Sequence, residues 1–172
     1  MTTNLITRMR ERIFGAIEVA LFALLLALLV LIGLQVFTRY VLHASIPWTE
    51  EVARMVLVWL VMLGAAVAMD RGEHYAITFL VAPLKGAARL LVITVTNVLG
   101  IAFLLALAVY GAEYVAANMK TVYVSTQVSR GWIYLAMPVG AAIMAVSLLA
   151  RSIEAFRYPE QARRDGALPV AD

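Results

Sequence analysis

Four stretches of this chain carry no charged residue: Val19–Thr38, Met55–Met69, Leu90–Ala112 and Gly131–Ala150. A helix that crosses a hydrocarbon core about 30 Å thick needs about 17–25 predominantly apolar residues. Three of the stretches reach that length unaided. Met55–Met69 covers only about 22 Å at 1.5 Å per residue, so its helix must begin back in the polar segment "SIPWTEEVAR", Ser45 to Arg54. Lipid offers no water to the backbone, so each stretch is predicted to be helical. With 63% hydrophobic residues among 172, no length is left for a soluble domain. The expected fold class is an all-α integral membrane protein with four transmembrane helices in a single domain, at about 15–38, 48–69, 88–112 and 131–151.

The basic residues orient these spans. Arg8, Arg10 and Arg12 precede the first. Arg71, Lys85 and Arg89 follow the second, and Arg151, Arg157, Arg163 and Arg164 follow the fourth. The opposite side has only Arg39, Arg54, Lys120 and Arg130. The positive-inside rule therefore predicts both termini in the cytoplasm. The same bias accounts for the net charge of +3, so no nucleic-acid partner is expected. The first run is too long for a signal-peptide core and lacks a small-residue cleavage site, so it reads as a retained helix. The chain has no cysteine, which excludes disulfides and thiolate metal sites. It carries no hydrolase, kinase, dinucleotide or phosphate-loop fingerprint, so neither enzymatic activity nor a cofactor is expected.

Polar residues near the span ends are the candidates for function. Glu18 lies about a turn into the first span. It is either a carboxylate of a proton-coupled transporter or an interfacial acid near Arg10, Arg12 or headgroups. Within Ser45–Arg54, Pro47 suits a first helical turn and the carboxylates suit a helix N-terminus. Glu50 and Arg54 are spaced i, i+4, and Glu51 and Arg54 are spaced i, i+3, so the local expectation pairs them along the helix. Arg54 would lie about 9 Å below Trp48, a depth at which a charge must be paired or covered by protein. The cluster, with Arg39 nearby, is either a self-satisfied cap or a face toward a partner subunit. Trp48 and Trp59 are eleven residues apart, about 20° in helical angle, and are expected to address one face.

Elsewhere, Ile77, Leu80, Val81 and Leu84 share a helical face. They suggest either a short interfacial helix at about 73–84 or a lead-in to the third span. Asn97 either lines a pathway or joins helices. Pro138 should kink the fourth span among the small residues Ala136, Gly140, Ala141 and Ala142, and the Gly64/Ala68 pair offers close approach in the second.

Three functions fit four helices. A b-type cytochrome needs paired histidines, but His43 and His74 are predicted on opposite membrane faces, about 30 Å apart. A stand-alone small exporter of the multidrug type needs an essential carboxylate within helix one, and Glu18 is close to the helix end. An accessory subunit bracing a larger transporter predicts small-residue faces, charge at helix ends and none at mid-membrane, as this sequence has.

The segment "FTRYVLHASIPWTEEVARMVLVWLVMLGAAVAMDRGEHYAI", followed later by "WIYLAMPVGAAIM", resembles the small membrane subunit (DctQ-like small permease) of tripartite ATP-independent periplasmic (TRAP) transporters. Matching positions include Arg39, Trp48, Glu50, Glu51, Arg54, Trp59, Gly64 and Pro138. The resemblance implies an inner-membrane complex with two partners. A periplasmic substrate-binding protein would capture an organic acid, and a large TRAP membrane subunit would move it by an elevator-like motion driven by an ion gradient, usually sodium. This subunit would be the fixed scaffold, and those residues would set its orientation against the large subunit and lipids.

Overall fold

The computed structural model describes residues 2–44, 46–71 and 86–157. They form α1 (Thr2–Tyr40), α2 (Pro47–Arg71), α3 (Gly86–Asn118), α4 (Gly131–Tyr134) and α5 (Ala136–Arg157). The protein is all-helical, with one isolated bridge between Val122 and Ser129 as the only strand-like pairing among the described residues. Four stretches are long and apolar enough to cross a membrane: Arg12–Tyr40, Pro47–Arg71, Leu91–Asn118 and Gly131–Ala150. The segment expected to be interfacial, 73–84, lies outside the described residues.

The helices run further than their apolar cores. α1 continues back through the arginine-rich start, and α3 runs on through "EYVAAN" to Asn118. Outside hydrocarbon nothing requires a helix to stop where charge begins, and the alanines there favour its continuation. The second span starts at Pro47, inside the polar segment, as its short apolar run demands. The fourth is interrupted at Leu135, the residue between α4 and α5. Pro138 has no N–H to offer the Tyr134 carbonyl. Leu135 keeps right-handed helical angles, and its N–H bonds the Gly131 carbonyl at 2.9 Å, so one span continues across the break.

The helices do not close into a bundle. Among the described residues α1 packs on α2 alone, α2 also packs on α5, and α5 packs on α3, giving an open row in the order α1–α2–α5–α3. α5 is its centre: 44% of the most apolar stretch of the fourth span is buried, against none of the corresponding stretch of the first. Helices in lipid gain little from apolar burial against one another, so close backbone approach through small residues must supply the packing. A Cβ at Gly140 of α5 would stand 2.9 Å from Met62 Cβ of α2, and one at Gly111 of α3 would stand 3.2 Å from Pro138 Cδ. Ala66, Ala141 and Ala145 join Leu104, Met144 and Leu148 in the core. Large apolar side chains point outward on both flanks, including Phe22 and Leu29 of α1 and Leu99 and Phe103 of α3.

Candidate functional site

The charged groups collect at the two ends of the α1–α2 hairpin. α1 closes with Val41 and Leu42 N–H bonding the Phe37 carbonyl and Ala44 N–H bonding that of Thr38. His43 takes the left-handed conformation, φ 50°, that reverses the chain. Thr49 then opens α2 by donating its hydroxyl to the Ile46 carbonyl at 2.7 Å and is 1% exposed. The Gln35 side-chain amide donates to the Thr49 carbonyl at 3.0 Å, and the Thr38 hydroxyl to the Gln35 carbonyl. Over this buried polar knot, Arg39 pairs with Glu50 at 2.8 Å, both about half exposed. Such a pair contributes at most about 1 kcal/mol, so its role is to fix register.

Glu51 reaches a different element. One carboxylate oxygen accepts the Ser125 N–H at 3.1 Å, and the other accepts the Thr126 N–H at 2.8 Å and its hydroxyl at 2.9 Å. The segment it holds is folded on itself. Tyr123 N–H bonds the Val128 carbonyl, Arg130 N–H bonds that of Thr121, and Gln127 has φ 55°. The Arg130 guanidinium lies 5.1 Å over the Tyr123 ring. A few residues deeper, Trp59 donates its indole N–H to the Trp132 carbonyl at 3.1 Å and ties α2 to α4.

These contacts overturn the local pairing. Neither Glu50 nor Glu51 bonds Arg54. An i, i+4 pair contributes about 0.2–0.5 kcal/mol, too little to compete with an arginine on the adjoining helix or with two backbone N–H donors. Arg54 is exposed and has no hydrogen bond or ion pair among the described residues. It shares an exposed stripe of α2 with Glu50, Leu57 and Val61. The two tryptophans share an angle but not a neighbour: Trp48 is exposed, whereas Trp59 is engaged within the chain. Gly64 faces α1, its nearest neighbour being Leu21 Cδ2 at 4.0 Å from a built Cβ, and Pro138 lies against Gly111 inside the row.

At the other end Arg10 bonds Asp70 at 2.7 Å, and Arg71 bonds Glu18 at 2.6 Å. Glu18 therefore finds its cation on α2, not at Arg10 or Arg12. One antiparallel register of α1 on α2 brings both Glu18 to Arg71 and Arg39 to Glu50, a signal present in the sequence once the two runs are read as a hairpin. The contacts of Thr49, Gln35, Ser125 and Thr126 had no such signal. His43 lies on the turn between α1 and α2, and His74 is outside the described residues. No group of three or more His, Cys, Asp or Glu able to hold a metal occurs among the described residues. The described parts of the four apolar cores carry no charge at mid-span.

Comparison with known proteins matches residues 28–158 to the family described as tripartite ATP-independent periplasmic transporters, DctQ component. The sialic acid TRAP transporter small permease protein SiaQ of Vibrio cholerae serotype O1 is 27% identical over 143 residues, covering 83% of each chain. The sialic acid TRAP transporter permease protein SiaT of Haemophilus influenzae is 27% identical over 139 residues. That match covers 81% of this chain but only 21% of SiaT.

Proposed function

The chain belongs to the DctQ-component family of TRAP transporters and is a small subunit of such a transporter; from that premise we propose that it is the stationary frame beside a large membrane subunit that carries the substrate path. The observation that carries this reading is the open row α1–α2–α5–α3. It exposes apolar side chains on both flanks, carries charge only toward the ends of its spans, and is clamped by ion pairs at both ends of its α1–α2 edge. A path for an acidic solute needs charged groups at mid-membrane, and the described part of this chain has none there. A small exporter acting alone is not favoured, since its essential carboxylate would be Glu18, which is paired with Arg71.

In this reading the polar residues divide by role. Glu51, Trp59 and Pro138 hold the subunit together, and Gly64 faces α1. Arg39, Trp48, Glu50 and Arg54 form the outer surface offered to the large subunit. Arg54 is the telling member, because a charge about 9 Å below the Trp48 level needs a counter-charge and the described residues supply none to it. Its partner is a carboxylate of the large subunit. The similarity to a segment of the much longer SiaT permease supports close association with a large partner.

The transporter is placed in the inner membrane with both termini of this subunit in the cytoplasm. It takes up an organic acid of the sialic acid type, delivered by a periplasmic binding protein and driven by a cation gradient, sodium being the expected ion. Co-purification of Arg54→Leu with the large subunit tests the assignment. Loss of the complex with normal yield of the small subunit is expected; full retention of complex and uptake would refute it.

A further inference from the structure

α1 and α5 both pack on α2 but not on each other. Near the arginine-rich end this leaves a groove of about 530 Å³ between them. Ile13 and Phe14 of α1 form one wall, and Ile143 and Val146 of α5 form the other. Ala142 and Ala150 bound its length on α5, eight residues or about 12 Å along the axis. Among the described residues the charged groups lining it are Arg10 and Asp70, at the end that the basic-residue bias assigns to the cytoplasm. Within that pair the arginine side chain is 33% exposed and the aspartate 14%, so the arginine is the more exposed member.

We propose that this groove binds an acidic phospholipid of the surrounding leaflet, with one acyl chain between α1 and α5 and the headgroup phosphate against Arg10. Three features select that occupant. The volume is more than three times the roughly 150 Å³ of a dry apolar cavity that admits benzene. Its apolar walls give water no partners, and in a bilayer the available filler is hydrocarbon. The polarity is one-ended: an apolar shaft opens onto a guanidinium, which matches a molecule with a tail and an anionic head. Arg8 and Arg12 make the same helix end basic in sequence, which favours an acidic headgroup over a zwitterionic one. The bound chain would supply the packing that α1, resting on α2 alone, lacks on its α5 side.

The test uses the full chain in phosphatidylethanolamine nanodiscs containing phosphatidylglycerol with a photoactivatable group on its acyl chain, read by peptide mass spectrometry. Labelling is expected on peptides containing Ile13–Phe14 and Ile143–Ala150, displaced by unlabelled phosphatidylglycerol and far less by phosphatidylethanolamine. Ala142→Trp, which fills the groove, should remove it, while Phe103→Trp on the far flank should not. Replacing Arg10 and Asp70 together by Gln and Asn should cut the preference for phosphatidylglycerol about fivefold, the ratio for about 1 kcal/mol per basic residue at a membrane surface. Labelling spread evenly over α3, or equal competition by both lipids, would overturn the proposal. So would crosslinking that finds a segment of the large subunit in the groove of the assembled complex. Competition requires no variant, so a misfolded mutant does not blunt the test.

Discussion

The close crossing of α2 and α5 is the joint on which the row depends, and Gly140 is its narrowest point. Adding one methyl there places a carbon 2.9 Å from Met62 Cβ, 3.0 Å from Met62 Cε and 3.2 Å from the Met62 carbonyl oxygen. The thioether end can swing aside, but the other two atoms move only with α2 itself. α5 must therefore retreat, loosening the Ala66, Ala141 and Ala145 packing that makes the core. Overpacking of this kind costs about 1–3 kcal/mol. Replacing glycine by alanine also gains up to about 1 kcal/mol of helix propensity, which would mask part of the loss. Gly64→Ala supplies the correction, because its methyl would meet nothing nearer than Leu21 Cδ2 at 4.0 Å. The difference between the two variants isolates the steric cost and should be about 1–3 kcal/mol, or about 5–150-fold in the unfolding equilibrium. Reversible unfolding in mixed micelles, followed by tryptophan fluorescence, measures it. Equal stability of the two variants would refute the crossing described here.

Other perturbations separate internal bracing from outward contact. Glu51→Gln should leave the helices intact but speed amide exchange at Ser125 and Thr126, since a neutral acceptor holds their N–H groups less firmly; unchanged exchange would remove Glu51 as the clamp. Trp59→Phe keeps the ring but loses the bond to the Trp132 carbonyl and should cost about 0.5–1.5 kcal/mol in the same unfolding assay, with no loss of subunit assembly. Arg39→Leu should change stability by less than about 1 kcal/mol, because both members of its pair are about half exposed. Arg54→Leu should leave unfolding of the isolated subunit unchanged while abolishing its co-purification with the large subunit.

The spans were legible because lipid imposes a length and an absence of charge that few other environments demand together. Even the short second run was readable, since only a start within "SIPWTEEVAR" let it cross, and α2 begins at Pro47. The small residues around Pro138 signalled close packing, but nothing in one chain's order said that Gly140 would meet Met62 or Gly111 would meet Pro138. Helical spacing pairs the wrong members of the charged cluster, for the opposite reason. Arg54 stands one turn from Glu50 and Glu51 in sequence, yet the partners that hold those acids are Arg39 on the preceding helix and two backbone amides more than seventy positions away. Local spacing ranks pairs by proximity along one helix, and tertiary contacts with better geometry override it. The result leaves Arg54, rather than the two carboxylates, as the member of this cluster without a partner among the described residues.

The most direct measurement is solute uptake by proteoliposomes containing this chain alone, the chain with the large subunit, and both with the periplasmic binding protein and its acidic ligand. The frame assignment predicts no uptake by the chain alone under any imposed cation gradient, and gradient-dependent uptake only when all three proteins are present. Accumulation of solute by the chain alone would contradict it.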